Sequence, residues 1–430
     1  MTPTAGMTDH GQADELRAAM VDGIARRTKA LGLVLPADVR RALLTVPRHL
    51  FAEGDADLEG AYADQAIVTK RDERGVSVSS VSAPWLQAMM IGQAGVGPGM
   101  RVMEIGSGGY NAALLREIVG DGGQVTTVDI DSEVTGRARR CLAAAGYDDI
   151  EVICADAEFA LAPGRTFDAI IVTVGAWDIP ASWPSQLANN GRLVVPLRTQ
   201  GMTRSWVLEQ RDGTLVSTGH QMCGFVPMRG AGEHRGASAP LLGGGAVGLW
   251  QDERDAIPPE ELAGVLNGPR TETWTGVTIA ANVSSADLDL WLATRLPGFC
   301  LMTARQESID DGTVNPSWRY GTPALADGPS LAYRARPRPV DGPEGPCEFG
   351  AVGHGPDAAR AARVMAEQIS AWDDAGRPWP RLTVLPSGTP DADLPAGFSL
   401  DKRHARLVIS WPTKVLSDCL TSPTKSVTRG

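Results

Sequence analysis

The stretch Arg101-Val-Met-Glu-Ile-Gly-Ser-Gly-Gly-Tyr110 concentrates the residue types from which a ligand site is made. Its apolar half reads as a short buried strand. The glycines after it let a ligand lie against bare backbone, where any Cβ would collide. A plain tight turn between strand and helix would use the same glycines. Two later acids bear on the choice. Asp129 ends the next predicted strand, 23 positions after Gly106, where a carboxylate accepts both hydroxyls of a ribose. Asp156 falls just past the third strand, placed for the edge of an adenine. Either acid would also serve as a solvated strand-end carboxylate, but Glu104, Gly106, Gly108, Asp129 and Asp156 in this order favour a nucleoside-binding sheet. A dinucleotide site wants G-x-G-x-x-G aimed at a pyrophosphate. Here the spacing is Gly106-x-Gly108-Gly109, and Glu104 precedes the turn. A carboxylate there suits a cationic ligand with an amino group, which favours S-adenosylmethionine over NAD.

The elements that must hold these residues follow from hydrophobic period. Leu16, Met20, Ile24 and Leu31 repeat at helical spacing, and a second helix starts after Pro36. From residue 84 to 210 strands alternate with single helices: Arg101–Ile105, Gln124–Ile130, Ile150–Ala155, Phe167–Val174 and Gly191–Pro196 read as strands. That alternation implies a parallel sheet with helices on both faces and ligands at the strands' carboxyl ends. Between Met228 and Gly248 the sequence loosens into Gly, Ala and Ser. Beyond it, strands near 273–280, 299–303, 381–385 and 406–411 and helices at 285–295 and 357–374 read as an α+β domain. The expected division is an N-terminal helical and substrate-loop segment (1–83), a cofactor-binding domain (84–230), a Gly-rich linker (231–248), a C-terminal α+β domain for peptide recognition (249–416) and a flexible tail (417–430). The C-terminal tryptophans Trp250, Trp274, Trp291, Trp318, Trp372, Trp379 and Trp411 would line a peptide groove or fill the core.

Composition narrows the partners. The 430 residues carry 40 Lys and Arg against 51 Asp and Glu, a net charge of −11. A duplex groove would show a basic excess, so nucleic acid is not expected. The longest apolar run, near Leu241–Trp250, is broken by glycines and too short for a bilayer. Met1–Gly23 has polar and acidic residues where a signal peptide would carry an apolar core. A cytoplasmic protein without membrane contact is expected. The six cysteines form no C-x-x-C pair, and the six histidines no H-E-x-x-H, so no metal is expected.

Seven motifs in order carry a resemblance: Val46-Pro-Arg-His-Leu-Phe51, Ala61-Tyr-Ala-Asp64, Val81-Ser-Ala-Pro84, Glu104-Ile-Gly-Ser-Gly108, Phe167-Asp-Ala-Ile-Ile-Val-Thr173, Gly191-Arg-Leu-Val-Val-Pro196 and Gly224-Phe-Val-Pro-Met228. Over residues 14–230 the chain resembles protein-L-isoaspartate O-methyltransferases. The form Gly-Ser-Gly-Gly-Tyr-Asn-Ala-Ala-Leu-Leu and the added C-terminal domain look more particularly like a branch found with ribosomally made peptides. That branch includes the FxLD-system enzymes and those modifying lanthipeptides, graspetides and lasso peptides. The resemblance implies an α/β fold, a Rossmann-like S-adenosylmethionine-dependent methyltransferase sheet with an additional C-terminal α+β domain. It implies S-adenosylmethionine as donor, S-adenosylhomocysteine as product, and no metal. Ser82 matches the active-site serine beside the substrate carboxylate, with Tyr62, Ser80, Val81, Phe225, Val226 and Pro227 around the substrate. Pro84, Trp85 and Gln87 match the segment at the methionine end of the donor. Glu104, Gly106, Ser107, Gly108 and Gly109 match the glycine loop. Asp129 and Ile130 match the ribose side, Asp156 and Ala157 the adenine contacts, and Thr173 and Val174 the wall beneath the methyl.

Two departures from the repair enzymes stand out. Their short Gly-rich lead into the serine is replaced by the charged Lys70-Arg-Asp-Glu-Arg-Gly-Val-Ser-Val-Ser-Ser80, and Tyr110 stands where a third glycine is more usual. Lys70, Arg71 and Arg74 would pair with peptide carboxylates or form a solvated loop. The resulting expectation is methylation of an aspartate side chain in a ribosomally synthesised precursor or cyclised peptide, leading to aspartimide and, on hydrolysis, isoaspartate. General repair of L-isoaspartyl proteins is the alternative, and an inactive peptide-binding maturation partner a further one.

Overall fold

The computed structural model describes residues 5–52, 56–161, 164–252, 260–280 and 283–412. They form two compact units. The first comprises Met1–His234, Leu382–Pro395 and Ser399–Val408, the second the remainder.

In the first unit α1 (Ala5–Ala30), α2 (Ala37–Thr45), a 3-10 turn (Arg48–Phe51) and α3 (Leu58–Tyr62) lead into a hairpin of β1 (Ile67–Arg71) and β2 (Ser77–Val81). Helix α4 (Pro84–Ala94) follows, then β3 (Arg101–Ile105), α5 (Tyr110–Val119), β4 (Gln124–Asp129), α6 (Ser132–Ala144), β5 (Glu151–Cys154), β6 (Phe167–Val172), α7 (Ser182–Ser185), β7 (Leu187–Thr199), β8 (Met202–Arg211) and β9 (Thr214–Met222). The sheet order is β9-β8-β7-β6-β3-β4-β5, parallel from β7 to β5 and antiparallel at β8 and β9. Successive strands run one way from β3 and the other way from β6. The crevice at their carboxyl ends is therefore the topological switch point, where open α/β sheets take ligands. β3, β6 and the middle of β7 are almost continuously buried, as strands covered on both faces must be. The α/β reading holds, with two differences in detail. Leu31 lies past the end of α1 and is exposed. The charged lead into Ser82 is a hairpin, because Thr69 and Ser79 join across it by a 3.0 Å hydroxyl bond and backbone pairing.

The second unit is an antiparallel sheet of β10 (Ala237–Pro240), β11 (Val247–Gln251), β12 (Arg270–Ile279), β13 (Phe299–Ala304), β14 (Thr322–Asp327), β15 (Ser330–Arg334), β16 (Arg338–Pro339) and β17 (Cys347–His354), with α8 (Ala286–Arg295), α9 (Gln306–Asp310) and α10 (Ala358–Asp374). Its strand order is β10-β11-β13-β14-β15-β17-β12, with β16 on β17. Helix α10 turns Ala361, Met365, Ile369 and Trp372 inward, the face its period predicts. Trp291 and Trp372 are core, whereas Trp318 and Trp379 are exposed.

The chain then re-enters the first unit. Strands β18 (Arg381–Pro386), β19 (Phe398–Asp401) and β20 (Ala405–Ser410) extend the parallel sheet past β9 in the order β9-β18-β20-β19. Leu382, Ala405, Leu407 and Val408 are buried. The expected boundary of a C-terminal domain over 249–416 is thus displaced: residues 382–395 and 399–408 belong with the first unit's sheet, where they cover an otherwise open edge. The expected linker at 231–248 contains β10, which pairs with β11 and opens the second unit's sheet. The tail at 417–430 lies outside the described residues.

One side chain ties the site-bearing segments of the first unit together. Arg48 is fully buried, and its guanidinium donates to Ala61 O at 2.9 Å, Gln65 O at 3.3 Å, Ser82 O at 3.0 Å and Gln87 Oε1 at 3.2 Å. It also lies 4.8 Å from the centre of the Tyr110 ring. Asp64, at the end of the same loop, caps α4 by accepting Trp85 N–H at 2.9 Å. Arg27 bonds the other Asp64 oxygen at 2.8 Å and stacks 3.8 Å over Trp85. Replacing Arg48 by methionine leaves two buried carbonyls, the part-buried Gln65 carbonyl and a buried amide oxygen without this donor. Arg48→Met should cost at least about 3 kcal/mol, each orphaned acceptor contributing ~1 kcal/mol or more. Arg48→Lys should restore little, since a point ammonium lacks the fork. The melting midpoint in calorimetry measures both.

Candidate functional site

Two adjoining cavities open at the switch point, and all their lining residues belong to the first unit. One, of about 440 Å³, is bounded by Ile105, Gly106, Val128, Asp129, Ile130, Ala155, Asp156, Ala157, Glu158, Val174, Pro227, Met228, Arg229 and Val78. The other, of about 390 Å³, is bounded by Val78, Ser79, Ser80, Val81, Ser82, Gln87, Glu104, Gly106, Ser107, Gly108, Asn111, Asp129, Thr173, Val174 and Val226. They share Val78, Gly106, Asp129 and Val174, so Asp129 stands at the join.

The glycine loop is shaped by close approach. Gly106 has φ 101°, and a Cβ there would sit 2.6 Å from Thr173 Oγ1 and 3.0 Å from Val174 Cγ1. Thr173 Oγ1 in turn donates to Gly106 O at 2.7 Å, so β3 and β6 are locked at the crevice. Asp129 accepts Ser107 N–H at 3.1 Å and Asp131 N–H at 2.9 Å. Each carboxylate oxygen has a second lone pair, leaving capacity for hydroxyl donors. Burial raises its pKa, against the pull of those two backbone N–H groups.

Glu104 is the most perturbed acid of the site. It is fully buried, accepts Thr127 Oγ1–H at 2.6 Å, and its Oε1 has no hydrogen-bond partner. Burial pushes its pKa up to about 7, while Thr127 and Asn111 pull the other way. Ser107 Oγ is likewise buried without a partner. Unsatisfied polar atoms in a cavity wall, beside a glycine no side chain can replace, are what a bound amino-acid and nucleoside ligand would complete.

Ser82 ends the hairpin one residue before the Ala83 N-cap of α4, 9% exposed and held through its carbonyl by Arg48. The hairpin presses on the glycine loop, the position of a Cβ on Gly108 being 3.5 Å from Ser80 O. Lys70, which the sequence leaves open between peptide carboxylates and a solvated loop, is committed within the chain: its ammonium bonds Asp131 at 2.7 Å and Glu133 at 2.6 Å. Arg71 donates to Gly75 O and Ser77 Oγ. Lys70 thus fastens the hairpin to the start of α6, while Arg71 ties the hairpin's own turn together.

Most of the expected site residues meet at the two cavities, but five do not line them. Pro84 and Trp85 are buried in the first turn of α4, Pro84 at its first position. Gly109, φ 81°, backs onto Phe51. Phe225 packs against the hydrophobic core. Tyr62, expected at the substrate, is buried with its hydroxyl on His49 Nδ1 at 2.8 Å and within 3.4 Å of an Arg17 donor. Asp156 lines the first cavity with both oxygens engaged, by Glu158 N–H and Ala231 N–H at 3.0 Å each. Lining residues to which the sequence reading gave no site role include Val78, Asn111, Glu158, Met228 and Arg229. Glu158 had a signal, two residues after Asp156 on the same loop. Arg229 bonds Asp131 at 3.1 Å, a pairing no spacing announces. Among the described residues no group of three His, Cys, Asp or Glu side chains is placed to hold a metal ion, and no helix is long and apolar enough to cross a membrane.

A family model described as protein-L-isoaspartate(D-aspartate) O-methyltransferase (PCMT) matches residues 20–233. The chain is 35% identical over 210 residues to the protein-L-isoaspartate O-methyltransferase of Methanopyrus kandleri, spanning 48% of this chain and 90% of that protein. It is 35% identical over 209 residues to that of Pyrococcus horikoshii, with shares of 48% and 90%. A solved protein-L-isoaspartate O-methyltransferase superposes with a TM-score of 0.47 at 19% identity, covering 85% of this chain and 96% of that one. The glycine loop, its two acids and Ser82 all fall inside the matched span, and over that span the chain belongs to the protein-L-isoaspartate O-methyltransferase family.

Proposed function

We propose that the protein is an S-adenosylmethionine-dependent carboxyl methyltransferase whose acceptor is an aspartyl-type carboxylate of a peptide or protein. The single observation carrying this is the pair of joined cavities, with Asp129 at the join, orphaned Glu104 Oε1 in the wall and Ser82 at the rim. When bound, S-adenosylmethionine supplies a sulfonium-activated methyl to an oxygen nucleophile. The chain's own residues have simpler tasks. Asp129 and Asp156 would hold the nucleoside side, Ile130 and Ala157 pack beside it, and Glu104, Ser107 and Gln87 would face the amino-acid side. A free Asp side chain titrates near 3.9, so the acceptor is ionised at neutral pH and needs no general base. Ser82 then acts as a hydrogen-bond donor that orients the carboxylate, with Thr173 and Val174 as the floor and Val226 and Pro227 opposite. Alignment of this kind is worth up to ~7–11 kcal/mol of barrier.

For the finer substrate we propose an ordinary L-Asp of a ribosomally synthesised peptide. Two features support this: the charged hairpin that replaces a Gly-rich lead, and a second unit beyond the family match. Once esterified, the Asp is attacked by the next backbone nitrogen. The new C–N bond forms as the C–O bond to methoxide breaks, methanol leaves with the amide proton, and an aspartimide results. General repair of L-isoaspartyl residues is the second reading, favoured by the activity for which the relatives are named. Incubation of the full chain with S-adenosylmethionine and either an L-isoaspartyl test peptide or an L-Asp precursor peptide, read by mass spectrometry, separates them. A methyl ester and then net loss of water on the L-Asp peptide is the expected result. Efficient methylation of the isoaspartyl peptide alone would establish the repair reading instead.

Two further outcomes follow from the site. Ser82→Ala should lower kcat by about 10²-fold, the scale of one positioned transition-state donor, with binding of S-adenosylhomocysteine unchanged in calorimetry. Glu104, neutral below its pKa of about 7, gains the charge that attracts a ligand ammonium as pH rises. Affinity for S-adenosylhomocysteine should therefore strengthen between about pH 6 and pH 8. In Glu104→Gln that slope should vanish, and binding should stay weak throughout.

A further inference from the structure

The returning C-terminal segment reaches the nucleoside end of the donor cavity. Three consecutive residues in the turn between β19 and β20 make contact there. His404 Nε2 lies 2.6 Å from Glu158 Oε1, and facing a carboxylate it is the donor. The His404 backbone N–H donates to Asp178 Oδ2 at 2.6 Å. Arg403 donates to Ala231 O and stands 3.9 Å from Glu158 Oε1. Lys402 sits 4.2 Å over the ring of Trp177, which stacks at 3.9 Å on His234.

What these residues hold is the cavity wall itself. Glu158 lines the cavity and is only 8% exposed. The Gly230–Gly232 turn forms the rim and lies flush on the acids beneath it. A Cβ on Gly230, φ 83°, would meet Asp156 Oδ2 at 2.4 Å, and one on Gly232 would meet Glu158 Oε2 at 2.9 Å. Ala231 N–H closes the ring by donating to Asp156. Asp156, Glu158 and the rim are thus one hydrogen-bonded assembly, and its outer side is supplied by residues more than 160 positions beyond the family match. A nearly buried carboxylate that loses its close donor must find another or turn toward water, and the nearest open volume is the cavity.

We infer that the Lys402–His404 turn is a positioning clamp for the nucleoside end of the donor site: His404 fixes Glu158 and Arg403 fixes the rim, so donor affinity depends on the chain's return from the second unit. This rests on the donor reading given above. His404 and Arg403 are positioning residues; neither lines the cavity.

The experiment uses the full chain and S-adenosylhomocysteine as probe in calorimetry, with steady-state kinetics alongside. His404→Ala should weaken probe binding roughly tenfold and raise KM for S-adenosylmethionine to match. It should leave kcat and KM for the peptide within about twofold. His404→Gln, which keeps a donor at the same reach, should recover most of the affinity. Glu158→Ala should weaken binding as well, and the double variant should be no worse than the weaker single one, as two residues acting through one contact require. Unchanged probe affinity in His404→Ala would overturn the inference. So would additive losses in the double variant, or a loss that tracks a fall in the ligand-free melting midpoint and is not recovered by glutamine. Failure of the unmodified protein to bind the probe would instead overturn the donor reading itself.

Discussion

A single buried guanidinium sets the geometry on which everything downstream depends. Arg48 binds the α3 loop through Ala61, the loop before the hairpin through Gln65, the serine segment through Ser82, and the first turns of α4 through Gln87. Burial lowers its pKa, opposed by the neighbouring Tyr110 hydroxyl and the Asp64 carboxylate. Its hydrogen-bond acceptors are neutral, so the charge is held by geometry and not by a paired carboxylate. Such a centre tolerates few alternatives, because a guanidinium has five donors in a fixed fork and each segment must arrive on one of them. The hairpin, the serine and the start of α4 are accordingly registered to one another before any ligand is present. Preorganisation of this kind is the form in which a protein stores positioning energy.

The glycine loop is registered by a second device, the interlocking of β3 and β6. Gly106 admits Thr173 and Val174 because it has no Cβ, and Thr173 returns a bond to the Gly106 carbonyl. The hairpin is pinned from the other side to the start of α6 through Lys70, Asp131 and Glu133. Asp131 also caps α6 with 3.0 and 3.4 Å bonds to Glu133 and Val134 N–H, and its carboxyl is held down at about 2 by Lys70 and Arg229 against the cost of burial. The charged lead to Ser82 therefore works as a brace. The sequence leaves these cations open between a substrate and a solvated loop, and Lys70 and Arg71 instead take partners inside the chain, since charge type alone does not say which group will be nearest.

What the sequence made legible follows the same division. Parallel strands, their order and the acids at their ends show in period and spacing, because these are local in the chain and repeat. Glu104, Asp129 and Asp156 stand out in the sequence for that reason and line the cavities; Ser82, which only the family resemblance singles out, lines them too. Tyr62 was misplaced because a motif reports that residues belong together without saying which face they show. Its hydroxyl is used on His49, behind the site. Arg48 stood in a quoted motif and carried no signal of burial, since a lone arginine after proline reads as surface. The destination of β18–β20 was illegible for a different reason. An apolar strand such as Arg406–Ser410 has the same pattern whichever sheet it joins, and only long-range pairing decides.

That last pairing changes what the second unit is. Because the chain leaves the parallel sheet after β9 and comes back to it at β18, residues 235–381 are bracketed by segments of the first unit and are not a terminal appendage. An appendage can be lost with little consequence for the domain it follows. A bracketed unit cannot, because strands that bury Leu382, Val384, Leu407 and Val408 in the first unit come after it. The β9 edge is covered only after the second unit has been made, so the donor-binding sheet and the second unit must be selected together. A chain that binds its donor through the common half and closes that half with strands that follow the second unit has coupled the two in its covalent order. The coupling requires no contact between the units; connectivity alone imposes it.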